Sequence, residues 1–297
     1  MSMSGALAGA PCALPLPLAA AVAVGPVLWS GMLARHSTEG RALNTRFTRA
    51  CAALLTAALI ACVFTARADD SGWRDIESRI QYDYYTEDAR ALSALEDTVA
   101  GTDEHAALHE YYLGLLFYRQ ALLAVQGAGA PGGGTAGQWA DRCVAHLDAA
   151  LPGGEDFAEG VALRAACRLA PLSSGERATL AAYRAHKDIT RALQLAPGNP
   201  RVLLVDAMSD YQLPPSSGGN KERALAKLRQ AVAAFDAERR DTQPVPGWGA
   251  AEACVLFARD LLDHGDPVAA RDALERALVV APEFAQARRL IGKITSG

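Results

Sequence analysis

The chain has 297 residues, enough for one or two domains, and 51% of them are hydrophobic while only 6% are aromatic. Alanine is abundant and β-branched runs are few, which argues for helices packed through small residues and against sheet. The net charge of −4 comes from 29 basic and 33 acidic residues, and an acidic protein collects phosphates poorly, which counts against nucleic acid as a partner.

Residues 1–43 precede anything that reads as a folded element. Ala13 to Leu33 is apolar, but Pro15, Pro17 and Pro26 interrupt it and no charge flanks its start, so it makes a poor membrane span. Translation starting at Met32 or near Leu43 would leave this stretch outside the native protein; a disordered extension and an amino-terminal anchor are the alternatives. Residues 44–68 have the form of an export signal, with Arg46 and Arg49, an apolar run from Ala50 to Thr65, and Ala66-Arg67-Ala68 just before Asp69. Leu59-Ile60-Ala61-Cys62 competes as a lipobox, in which Cys62 would carry a lipid anchor. Val63 and Phe64 continue the apolar run past that cysteine, which favours cleavage after Ala68 and a periplasmic domain over residues 69–297. Removing residues 1–68 takes away five arginines and one glutamate, leaving 24 basic against 32 acidic residues, about −8.

From Trp73 onward the apolar spacing predicts helices in pairs. Tyr82, Tyr84, Tyr85, Tyr111, Tyr112 and Tyr118 are six of the eight tyrosines, gathered in the first two pairs. Such a cluster either packs helices together or lines a groove with rigid amphipathic rings suited to a peptide or extended ligand. Tyr82, Tyr85, Tyr111, Tyr112 and Tyr118 are therefore candidate binding residues. His105 and His109 stand four apart, but Ala106 occupies the place where a zincin has its glutamate and no further ligand is near, so neither metal nor cofactor is expected. The glycine-rich stretch Gly127 to Gly134 follows no strand and lacks the Lys-Ser/Thr ending of a phosphate loop; it is a flexible connector. Cys143 and Cys167 lie on consecutive predicted helices joined by Leu151-Pro152-Gly153-Gly154, where a disulfide and two buried thiols are both open.

Further along, Ala185, Ile189, Ala192 and Ala224, Leu228, Ala231 repeat a small-large-small pattern, with weaker echoes at Cys143, Leu147, Ala150 and at Ala91, Leu95, Thr98, Val99. Just before the helix that carries Ala224, Pro214-Pro215-Ser216-Ser217-Gly218-Gly219-Asn220 reads as a turn needing positive φ at Gly218 or Gly219, with Asn220 capping that helix. This loop resembles the Gly-Gly-Asx loop of periplasmic repeat proteins associated with TRAP-type solute transporters, and the resemblance adds Asn220 to the binding candidates. Asp241 to Gly249 is a further insertion, and Trp248 in it reads as a plug over the last hairpin.

The final unit is the clearest. Phe257 and Ala258, then Leu261, Gly265, Ala270, Leu274, Ala277 and Pro282 fall at offsets where small residues let two helices approach, large ones fill the gap and proline ends the second helix. Asp266-Pro267 supplies a cap and a proline at the first helical position. This unit resembles a tetratricopeptide (TPR) repeat, whose period is about 34 residues. The resemblance implies an all-α fold, an α-α superhelix of about five helix pairs with a carboxy-terminal capping helix begun by Phe284, Ala287 and Leu290. The interval from Ala192 to Ala231 is 39 residues and that from Ala231 to Ala277 is 46, so the excess over the period is loop. No nucleophile stands with a base in any readable motif, so an enzyme is not expected. A scaffold or adaptor holding a protein or peptide in the cell envelope is the first expectation, and a solute-binding accessory of a transporter the second. An open groove with exposed aromatics favours the first; a large, closed apolar pore through the superhelix favours the second.

Overall fold

The computed structural model describes residues 72–101, 106–127, 134–151, 156–170, 176–238 and 246–296. The chain divides into two units, Met1–Ala57 and Ala58–Gly297, and every described residue belongs to the second. The segment expected to be an export signal, residues 44–68 with Cys62, the stretch before it and His105 all lie outside the described residues.

Among the described residues there are eleven α-helices, a short 3-10 turn and no strand. They form five antiparallel pairs: α1 (72–85) with α2 (Ala89–Ala100), α3 (Ala106–Val125) with α4 (Ala136–Ala150), α5 (Ala158–Leu169) with α6 (Glu176–Leu195), α7 (Pro200–Gln212) with α8 (Lys221–Ala237), and α9 (Ala250–Asp263) with α10 (Pro267–Val280). A single helix, α11 (Ala285–Ser296), packs on α10 and ends the stack. The architecture is an α-α superhelix.

Local chemistry starts these helices where they start. Asp88 caps α2, accepting from the amides of Arg90 and Ala91. Thr135 caps α4 in a capping box, its hydroxyl accepting from Gln138 N at 3.3 Å while Gln138 Oε1 accepts from Thr135 N at 2.8 Å. Asn199 with Pro200 opens α7 and Asp266 with Pro267 opens α10, each pairing a side-chain acceptor with a proline that has no amide to leave unbonded.

The second helices meet their partners through the small residues. Ala185, Ala192, Ala224, Ala231, Ala270 and Ala277 are fully buried, as are Leu228 and Leu274 between them. Each buried leucine contributes roughly 1.5–3 kcal/mol. In α2 the register differs from the sequence pattern by one position: Leu92, Leu95 and Val99 are buried, while Thr98 is exposed. Cys143 of α4 and Cys167 of α5 are joined by a disulfide with Cα atoms 6.1 Å apart, inside the range a bridge needs.

Candidate functional site

The first helices of the pairs form the inside of the superhelix. Tyr111 to Ala121 of α3 is an almost unbroken buried run, and α5 and α7 are likewise buried on nearly every side. A helix hydrophobic all round belongs in the interior, and α3, α5 and α7 pack on one another there.

The two ends of the stack also touch. Tyr85 of α1 donates to Glu252 Oε2 of α9 at 2.9 Å, and Gly247 N–H, just before α9, donates to Glu77 Oε1 of α1 at 2.7 Å. Trp248 Nε1–H donates to the Tyr111 hydroxyl at 2.7 Å. The Phe284 ring lies 4.5 Å from Tyr85 and 6.0 Å from Tyr84. Arg289 of α11 pairs with Glu87, between α1 and α2. Ordinary solenoid repeats contact only their neighbours; here the first pair and the last close on each other.

Arg119 sits inside this closure, 1% exposed. One terminal nitrogen of its guanidinium donates to Gln81 Oε1 at 2.7 Å and to Glu252 Oε1, and the group lies 4.3 Å from the centre of the Tyr84 ring. Burial opposes the charge, but Glu252 and the phenols of Tyr84, Tyr85 and Tyr118 outweigh it, so the guanidinium is held charged. Its Nε–H is buried and has no hydrogen-bond partner. Beside it opens a pocket of about 570 Å³, counting its open mouth. The walls are the rings of Tyr84, Tyr118, Trp248 and Phe284 and the aliphatic chains of α3, α7 and α9; Gln126, Gln212, Gln286 and Arg259 supply polar groups.

The tyrosines divide by place. Tyr118 lines the pocket and Tyr85 holds Glu252 from behind. Tyr111 and Tyr112 are fully buried, and Tyr112 donates to Glu77 Oε2 at 2.8 Å. Burial and the Glu77 charge push both phenols up, so they remain protonated. Tyr82 is 56% exposed and does not line the pocket. Asn220 caps α8, accepting from Arg223 N at 2.7 Å, and is not part of the pocket wall. In the last unit Ala258, Ala270, Leu274 and Ala277 are buried, Phe257 is partly buried, Gly265 turns the chain at φ +78° and Pro282 follows the end of α10.

Sequence reasoning missed Arg119, Glu252 and Tyr84. The available signal was a charge in the middle of the apolar run Leu115-Leu116-Phe117-Tyr118-Arg119-Gln120-Ala121-Leu122, since arginine is rarely fully buried unless paired. Among the described residues no group of three His, Cys, Asp or Glu side chains is arranged to hold a metal, and no helix is long and apolar enough to cross a membrane.

No protein-family model matches the chain, and no curated protein matches it. Among solved structures it is similar to the HusA haemophore from Porphyromonas gingivalis, at 22% identity and a TM-score of 0.50, over 64% of this chain and 92% of that one. A thermophilic TPR protein from Thermus thermophilus matches at 16% identity and a TM-score of 0.45, over 70% of this chain and 90% of the other. The likeness is one of fold.

Proposed function

We propose that this chain is an exported, non-enzymatic helical-repeat protein that holds a small organic solute in the pocket beside Arg119. The observation that carries this is an aromatic-walled pocket where the two ends of the stack meet, with the buried, charged guanidinium of Arg119 in its lining. The closed superhelix supports a solute over the peptide adaptor. A groove for an extended peptide needs exposed rings on the inner face, and Tyr85, Tyr111, Tyr112 and Tyr118 are instead used to join the ends of the stack or to fill its centre.

Export rests on the signal over residues 44–68, with cleavage after Ala68 or lipidation at Cys62. The Cys143–Cys167 disulfide supports it, since such bonds persist in oxidising compartments. A role beside a transporter rests on the Gly-Gly-Asn loop alone. The P. gingivalis protein of similar fold is described as a haemophore, and at that identity the likeness carries the fold and not the ligand.

Full-length protein isolated without denaturation is expected to carry a small molecule in native mass spectra. Met208 lines the pocket, and Met208→Trp is expected to fill it and remove the adduct while leaving helicity unchanged. A folded Met208→Trp protein with the same adduct, or an adduct-free protein that captures a stoichiometric envelope protein, would sink this reading in favour of the adaptor.

A further inference from the structure

A second cleft opens away from the pocket beside Arg119. Helix α6 packs on α5 and α7, and α8 packs on α7 and α9. Between α6 and α8 lies a cleft of about 510 Å³, walled also by α7 and by residues 216–218 of the loop before α8, inside the size range of small-ligand sites. We infer that this cleft binds a neutral sugar. It shares no lining residue with the Arg119 pocket, so the inference stands apart from the function proposed above.

The charges of the wall argue against an ion. With His186 neutral, the wall carries two carboxylates, Asp206 and Asp210, and two cations, Arg223 and Lys227. They are already spent on one another: Lys227 Nζ meets the two carboxylates at 2.7 and 2.8 Å, and Arg223 Nε donates to Asp210 at 2.7 Å. An anionic ligand would reach the cations only against the carboxylates that hold them, and a cationic ligand would meet the reverse. A neutral ligand leaves the balance undisturbed.

Hydrogen bonding of both signs remains. Lys227 uses two of its three ammonium protons. Arg223 spends Nε and one terminal nitrogen on Asp210 and Gly218 O, which leaves the other terminal nitrogen as a donor. Ser209 is only 9% exposed and lines the cleft, and its hydroxyl has no hydrogen-bond partner among the described residues. The hydroxyls of Ser216 and Ser217 stand on the loop side. Donors and acceptors set side by side suit a group that is both, and a hydroxyl is that group. Several hydroxyls on one uncharged body make a sugar. The last part of the wall is a ring: Tyr183 of α6 lines the cleft and is 68% exposed. A sugar ring is polar at its rim and carries C–H bonds on its faces, so one face can lie on an aromatic ring while the rim bonds to the polar wall.

Saturation-transfer NMR titrations of the full-length protein test this with cellobiose, maltose and lactose, and with glucose against glucose 6-phosphate. At least one of the three disaccharides is expected to bind saturably at millimolar concentration or below, with transfer strongest to the C–H protons of one ring face. Tyr183→Ala is expected to weaken that binding about tenfold and to remove the face preference, while Tyr183→Phe keeps both; the side chain is exposed, so both variants fold. Ser209→Ala is expected to weaken it about fivefold. Glucose 6-phosphate is expected to bind no tighter than glucose. Absence of saturable binding by all three disaccharides overturns the inference, as does binding that Tyr183→Ala leaves unchanged. Tighter binding of the phosphate also overturns it, by showing an anion site in place of a sugar site.

Discussion

Asp260 of α9 is fully buried, and neither of its carboxylate oxygens has a hydrogen-bond partner. Burial raises its pKa, Asp263 and Glu222 push the same way, and His264 and Lys221 oppose them. A carboxyl whose folded pKa is raised favours the folded state below its ordinary value of 3.8, and that favour is lost as pH rises through the folded pKa. Asp260→Asn is therefore expected to raise the melting temperature at pH 7 by roughly 3 °C. The gain should vanish near pH 3.5, where the wild-type carboxyl is neutral as well. Calorimetry at the two pH values checks this, and an equal melting temperature at pH 7 would contradict the desolvation. Other interior charges are better served. Arg164 donates to Asp188 at 3.1 and 2.7 Å, and Arg201 to Glu238 at 2.6 and 3.1 Å. None of these buried charges was legible beforehand, because a charged residue on an amphipathic helix reads as solvent-facing until the neighbouring helix is placed.

At the scale of elements, the loop between α7 and α8 shows two glycines used for different reasons. Gly218 has φ +94°, the left-handed backbone expected at one of the pair. Gly219 is needed for space: a Cβ there would lie 1.7 Å from the carbonyl oxygen of Leu213. The loop is tied down by Asn220 N–H to Asp210 O at 2.9 Å and by Arg223, which pairs with Asp210 and donates to Gly218 O at 2.6 Å. Burial raises the Asp210 carboxyl, yet the bonds from Arg223 and Lys227 hold it below its ordinary value, so its contribution is lost as pH falls through that lowered pKa. Gly219→Ala is expected to destabilise the protein by about 3 kcal/mol, and Gly218→Ala by about 1–2 kcal/mol. Urea melts of the two variants measure the order, and a milder Gly219 variant would show that the loop can yield. The caps of α8 and α10 and the pairing pattern from α4 onward were legible, because each is written within a few residues of itself. The α2 pattern was misplaced by one position, since the alternative small residue Ala91 offered an equally periodic choice.

For the whole molecule the decisive feature is closure. In a solenoid whose repeats meet only their neighbours, ends can open independently. Here Glu252 ties α9 to both Arg119 of α3 and Tyr85 of α1. Glu252→Ala leaves a buried guanidinium without its carboxylate and is expected to cost about 3–5 kcal/mol. Hydrogen exchange should then show α1 amides opening before those of α5 and α7, whereas in the unaltered protein α1 and α9 open together. Matching protection of α1 in both proteins would mean that closure is held elsewhere, by Trp248 and Phe284.

Helix positions, pairing and caps follow from contacts three and four residues apart, and from the alanines and prolines that set how closely two adjacent helices approach. Those are local properties, so an all-α stack of about five pairs with a terminal helix can be read from residue spacing alone. The pocket depends on residues far apart in the chain: Arg119 meets Glu252 across 133 positions, Trp248 meets Tyr111 across 137 and Gly247 meets Glu77 across 170. Such contacts leave no periodic trace, because they arise from the accumulated rotation of the stack and from insertions that set it. Only the tertiary structure decided that the tyrosines join the two ends of the superhelix, and that a buried arginine stands at the edge of the space they enclose.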